Sequence, residues 1–143
     1  MYKKILLALD TTRADESLLP HVQELAHCCG AELLLLHVAD GWVARQFDSN
    51  LAPAESEEMR SDRAYLDKAA AALTAAGLRV TTRLALGNPP TEILREAERE
   101  QCDLIAMTTH GHRLIGDLLH GSTIESVRHR SHIPILVVRA AER

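Results

Sequence analysis

The stretch that decides the fold is Met107-Thr-Thr-His-Gly-His-Arg-Leu-Ile-Gly-Asp-Leu-Leu-His-Gly-Ser-Thr123. It starts where an apolar run, Leu104-Ile105-Ala106-Met107, stops. It ends where a helix-like segment, Ile124 to Arg130, begins. A strand that empties into a glycine-bearing loop, followed by Gly121-Ser122-Thr123 at a predicted helix start, is the arrangement by which α/β proteins hold phosphate. Glycine lets the backbone approach the anion, the free N–H groups of the helix point at it, and hydroxyls add donors. The spacing excludes a Walker loop: four residues separate Gly116 from Gly121, but Ser122 stands where the lysine is required. No Gly-x-Gly-x-x-Gly follows the first apolar run, so a dinucleotide fingerprint is absent as well. His112 and Arg113 follow Gly111 and are candidates to pair with a phosphate. Asp117, inside the same segment, would repel one if it pointed inward.

Outward from this loop, the chain alternates. Lys3 to Ala8 reads as a buried strand that ends at Asp10-Thr11-Thr12, and Asp15-Glu16-Ser17 opens a helix that Gly30 stops. Glu32 to Val38 is a near-continuous apolar run, as expected for a parallel strand covered on both faces. A connection from Ala39 to Pro53 carries the only Trp and the only Phe, Trp42 and Phe47. A helix is predicted over 54–76 with Gly77 as its cap, a strand over 80–86, and a helix from Pro90 to about Gln101. Leu104 to Thr108, Ser122 to Arg130 and Ile133 to Arg139 complete the order β-α-β-α-β-α-β-α-β. Such alternation demands right-handed crossovers and a parallel sheet with helices on both faces. Ligands in these sheets bind beyond the carboxyl ends of the strands, where Asp10, Val38 and Thr108 are expected to meet.

Composition narrows the function. The chain has 143 residues, 46% apolar and 25% charged, and is read as one domain over 1–143. A net charge of −4 and 3% aromatic residues argue against nucleic acid as a partner. No apolar run approaches the ~20 residues of a membrane span. Ile5 to Leu9 is too short for a signal segment, so the expected compartment is the cytoplasm. Cys28, Cys29 and Cys102 lack metal-ligand spacing, and the eight histidines include no His-Glu-x-x-His, so no metal site is predicted.

Taken together, these residues resemble the universal stress protein family over essentially the full length. The family's nucleotide motif is Gly-x2-Gly-x9-Gly-Ser/Thr after the fourth strand. Gly111, nine residues, then Gly121-Ser122 reproduces its second half, while Thr108 stands in place of the first Gly. Lys4-Ile5-Leu6-Leu7-Ala8-Leu9-Asp10, Leu36-His37-Val38, Gly87-Asn88-Pro89 and Ile133-Pro134-Ile135-Leu136-Val137-Val138-Arg139 are similar to the corresponding strand ends and turn. The resemblance implies a flavodoxin-like, adenine nucleotide alpha hydrolase-like α/β sheet of five parallel strands in order 3-2-1-4-5. It implies ATP or another adenine nucleotide as ligand, with or without Mg²⁺. Asp10 and the backbone of Val38 would contact adenine, and Ala8 and Thr108 would lie near the adenosine. Gly111, Gly121, Ser122 and Thr123 would hold phosphates, with Leu9, Met107, His110, His112 and Arg113 beside them.

The resemblance further implies a homodimer through Ile133–Arg139, an apolar edge that pairing with a second copy would cover. Three functions stay open at this level. One is a cytoplasmic nucleotide-binding sensor or regulator of the stress response. The second is a slow ATPase or phosphotransferase, for which Asp10, His110, His112 and Arg113 are candidates but no clear base exists. The third is a nucleotide-free dimer that docks on an unknown protein partner; Thr108 and Asp117 favour it.

Overall fold

The computed structural model describes residues 1–40, 57–109 and 118–141. The Trp42–Phe47 connection and His110, Gly111, His112, Arg113 and Asp117 lie outside the described residues. Among the described residues nine elements alternate: β1 (Lys4–Ala8), α1 (Asp15–Cys29), β2 (Glu32–Asp40), α2 (Glu57–Ala75), β3 (Val80–Gly87), α3 (Pro89–Arg99), β4 (Leu104–Thr109), α4 (Leu118–Arg130) and β5 (Ile135–Arg139). The strands form one five-stranded sheet in the order β3-β2-β1-β4-β5, and every pairing is parallel. The expected strand order therefore holds.

The apolar runs of β1, β2 and β4 follow from what covers them. Successive strand residues face opposite sides of a sheet. Ile5 and Leu7 pack with Leu33, Leu35, Leu18, Val22 and Leu66 on the α1/α2 side. Leu6 packs with Leu34, Leu36, Ile105, Ile93 and Val127 on the α3/α4 side. Both faces are dry, so alternation vanishes from the central strands. Helix α1 ends at Gly30, which takes the left-handed conformation (φ 68°) and donates its N–H to Ala26 O. Helix α3 begins under Asn88, whose Oδ1 accepts the Thr91 N–H at 3.2 Å. Pro89 and Pro90 follow at its first positions, where their missing N–H groups are harmless.

Several boundaries differ from the reading of the sequence, β2 running on to Asp40 among them, and two starts have a clear physical reason. Helix α4 starts at Leu118 rather than Ser122. A single Gly weakens a helix by only about 1 kcal/mol relative to Ala, too little for Gly121 to stop the turn that Leu118 begins. Strand β5 starts at Ile135 rather than Ile133, after Pro134, which has no N–H to give a ladder. Pro134 still contributes its carbonyl, which accepts the Ile105 N–H at 3.0 Å.

Candidate functional site

Strands β1 and β4 are neighbours, so the chain leaves β1 toward β2 on one side while β4 lies on the other. A crevice opens at the carboxyl end of such a switch point. A cavity of about 490 Å³ occupies it here. Ala8, Leu9, Asp10, Val38, Met107, Thr108 and Thr123, all expected at the site, line it together. They come from β1 and the turn after it, β2, β4 and α4, which the parallel order of the sheet brings to one end. The backbone at Gly121 and Ser122 lies inside α4. Because α4 opens at Leu118, its unbonded amides are those of the helix start, and the N–H groups of Ser122 and Thr123 fall within the helix.

Asp10 sits in a turn shaped by its own neighbours. Its Oδ1 accepts the Thr12 N–H at 3.0 Å and the Thr12 hydroxyl at 2.6 Å. Such a side-chain-to-backbone bond two residues ahead is an Asx turn. Thr11 takes φ 63°, an uncommon conformation for a residue with a branched Cβ. The amides of Asp10 and Thr11 point the same way, toward Asp15: Asp10 N–H donates to Oδ1 at 3.2 Å and Thr11 N–H to Oδ2 at 3.0 Å. Tyr65, from α2, donates its hydroxyl to Asp15 Oδ2 at 2.8 Å. Asp15 is fully buried (0% exposed). Burial, and then the charge of Asp10, push its carboxyl up to about 6. Burial and the nearby Asp15 charge also raise the Tyr65 hydroxyl above its ordinary value.

His37, on β2, closes the other side. Its Nδ1 lies 2.8 Å from Leu9 O. A carbonyl oxygen can only accept, so Nδ1 carries the proton. Asp62 Oδ2, from α2, lies 3.4 Å from the other ring nitrogen. His37 and Asp62 both line the cavity, as do Glu58 of α2 and the Asn88-Pro89-Pro90 turn. The sequence reading named none of these for the site. A polar residue at the carboxyl end of the apolar run Leu33–Val38 was the available signal for His37. Nothing local marks Glu58 and Asp62, which reach the cavity from a helix.

The cavity thus offers one apolar wall (Ala8, Val38, Met107, Ile93), a carboxylate-rich side (Asp10, Glu58, Asp62) and Thr123 and Ile124 from within α4. That is suited to a flat, amino-bearing ring. Among the described residues no group of three metal-ligating side chains is found. None of the helices among them is long and apolar enough to cross a membrane.

Comparison with known proteins agrees with this architecture. The family model described as "Universal stress protein family" matches residues 1–139. Universal stress protein MJ0577 of Methanocaldococcus jannaschii is 30% identical over 97% of this chain and 96% of its own length. The solved structure of MJ0577 superposes with a TM-score of 0.85 at 29% identity, covering 100% of this chain and 99% of that one. A universal stress protein solved in complex with cAMP has a TM-score of 0.70 at 20% identity, over 98% of each chain. One from Archaeoglobus fulgidus in complex with dAMP has a TM-score of 0.70 at 18% identity, over 96% of this chain and 98% of that one. At those identities the last two speak for the fold alone.

Proposed function

The chain belongs to the universal stress protein family, and from that premise we propose that it binds an adenine nucleotide in the switch-point cavity and serves as a cytoplasmic stress-response sensor or regulator. The observation that carries the reading is the meeting of Ala8, Asp10, Val38, Met107, Thr108 and Thr123 around one cavity of about 490 Å³. That volume falls within the range of roughly 300–1,000 Å³ usual for small-ligand sites. Two proteins of the same fold are solved with cAMP and dAMP, both adenine nucleotides, and the reading extends that ligand class to this chain.

In this reading Asp10 and the Val38 backbone take the adenine edge. A carboxylate accepts from an exocyclic amino group, and a backbone N–H donates to a ring nitrogen, so no aromatic platform is needed. Ala8 and Thr108 border the ribose. The phosphates run toward the Gly111-to-Gly121 segment and the start of α4, whose free amides and dipole favour negative charge. Mg²⁺ would enter with the phosphates, because that ion keeps several waters and asks the protein for only one or two carboxylates.

The test is made on the protein as purified, without added nucleotide. It is denatured, the precipitate is removed, and the released ligand is identified by chromatography and mass spectrometry. Adenine nucleotide near one per chain is the expected result. An empty protein that also binds no millimolar Mg-ATP overturns the reading.

A second reading, a nucleotide-free docking protein, rests on Thr108, whose buried side chain (6% exposed) occupies the position of the motif's first Gly. Thr108→Gly separates the two: a large gain in ATP affinity would mean that the native side chain impairs the site. Either reading includes a homodimer through β5, an edge strand whose Val137 is 42% exposed. Sedimentation showing only monomer at micromolar concentration would contradict it.

A further inference from the structure

The peptide unit between Leu9 and Asp10 is gripped at both ends. Its carbonyl, Leu9 O, accepts from His37 Nδ1 at 2.8 Å, and Asp62 stands behind His37 at 3.4 Å. Its N–H, on Asp10, donates to Asp15 Oδ1 at 3.2 Å, and Tyr65 stands behind Asp15 at 2.8 Å. The two backing residues, Asp62 and Tyr65, are three positions apart on α2 and so share one helix face. One helix therefore fixes, through two relays, the peptide plane from which the Asp10 side chain departs.

Ordinary helix capping does not account for Asp15. A capping carboxylate accepts from amides of its own first turn. The oxygens of Asp15 instead accept from Asp10 and Thr11, upstream of α1, and from a hydroxyl on α2. Two successive amides converging on one point form a nest, a feature that in other proteins binds an external anion. Here the chain's own buried carboxylate fills it, and the filled nest holds Thr11 at φ 63°. The titratable groups that face Asp15 among the described residues are Asp10 from the turn and the neutral Tyr65 hydroxyl from α2, with Glu16 next along α1 acting on Tyr65. Burial and the Asp10 charge oppose the Asp15 carboxylate, and the three hydrogen bonds it accepts favour it.

We propose that Asp15 and Tyr65, with His37 and Asp62 opposite, are positioning residues that preset Asp10 for the base of the bound nucleotide. The proposal rests on the reading of the cavity as an adenine-nucleotide site. Tyr65 and Asp15 are not among the residues lining the cavity, so their effect on binding passes through the Leu9–Asp10 peptide. Asp62 and His37 line it and are weaker probes, because they could also touch ligand directly.

The experiment compares wild type, Tyr65→Phe and Asp15→Asn by calorimetry with ATP and with adenosine, and by amide hydrogen exchange at Asp10 and Thr11. Loss of one neutral-to-charged hydrogen bond in Tyr65→Phe is expected to weaken both ligands about 3- to 10-fold. Asp15→Asn keeps one acceptor oxygen of two and is expected to weaken them by about 10-fold or more. The loss is the same for adenosine as for ATP, because the relay acts at the base. Exchange at Asp10 and Thr11 quickens in both variants. Adenosine carries no phosphate, so its affinity profile reports the protein: wild type weakens as pH falls through about 6, where Asp15 takes a proton, and Asp15→Asn lacks that step.

A wild type that binds while both variants bind equally well overturns the relay and leaves the nucleotide reading standing. Faster exchange with unchanged affinity also overturns it, since the hydrogen bonds would then be structural only. A wild type that binds neither ATP nor adenosine overturns the nucleotide reading instead.

Discussion

Among the described residues, the two ends of the sheet treat their charges in opposite ways. At the amino end, charges are matched. Lys4 Nζ lies 2.9 Å from Glu100 and 3.7 Å from Glu32, and Arg83 lies 3.5 Å from Glu96 and 3.3 Å from Glu100. The hydrogen bond to Lys4, and then its charge, hold the Glu100 carboxyl below its ordinary value, and the same bond raises Lys4. At the carboxyl end, Asp10 and Asp15 are close, and Asp15 is buried and pushed up to about 6. Glu58 and Asp62 join the same cavity. One end pairs its charges, although Arg83 Nε and Glu96 Oε2 are buried without a hydrogen-bond partner, and the other keeps one buried carboxylate, Asp15, in a surrounding that disfavours its charge. Groups held against their electrostatics cluster at functional sites. The difference marks the carboxyl end as the candidate site without reference to any relative.

The largest effect that sharpens this contrast is on binding. Asp10→Ala is expected to weaken ATP about 10- to 100-fold, the range for losing hydrogen bonds to a charged group. Its unfolding midpoint should move little, and a titration beside a urea melt checks both.

Next is the opposite pH response of the two ends. The folded value of Asp15, about 6, lies above the unfolded value near 3.9. Its contribution to stability is therefore fully present below about pH 4 and lost as pH rises through about 6. A shift of about two units corresponds to roughly 3 kcal/mol. Glu100 has the reverse sign: its depressed value gives stability that is present above the ordinary carboxylate range and lost as pH falls. Unfolding free energies from pH 4 to 7 should therefore favour Asp15→Asn over wild type progressively as pH rises. A parallel pair of curves would break the comparison.

A smaller effect is expected at the amino end. Arg83→Met leaves Glu96, with a side chain only 7% exposed, facing Arg99 at 3.6 Å as its ion-pair partner among the described residues. Breaking a buried pair costs about 3–5 kcal/mol, and the 36% exposure of Arg83 reduces that to about 2 kcal/mol. Nucleotide affinity should be unchanged. The smallest effect is that of Lys4→Met: a drop in urea midpoint that high salt reduces only in part, because the Lys4–Glu100 pair is partly buried and so less screened.

How much of this was legible in the sequence depends on distance along the chain. The parallel sheet followed from continuous apolar runs such as Leu33–Leu36 and from their alternation with helices, while the strand order came only from the family resemblance. Asp10, Val38 and Thr108 were found because a parallel sheet collects the residues at its strand ends, and Ala8 came from the family resemblance. Asp15 and Tyr65 are 50 positions apart, and no spacing rule joins them. Asp15 read as an ordinary first-turn acid of α1, since its burial depends on α2. The start of α4 was misplaced because Ser122-Thr123 looks like a cap, while Leu118 and Leu119 carry the helix upstream. The turn at Asn88 was seen as a turn, but its part in the cavity depends on β3 pairing with β2.

The most direct test of the central claim is one calorimetric titration of ATP into wild type, Asp10→Ala and Arg83→Met. The account predicts saturable binding by wild type, an unchanged constant for Arg83→Met, and a loss of about tenfold or more for Asp10→Ala. No binding by wild type at millimolar ATP, or equal affinity in Asp10→Ala, would contradict the assignment of the carboxyl end as the nucleotide site.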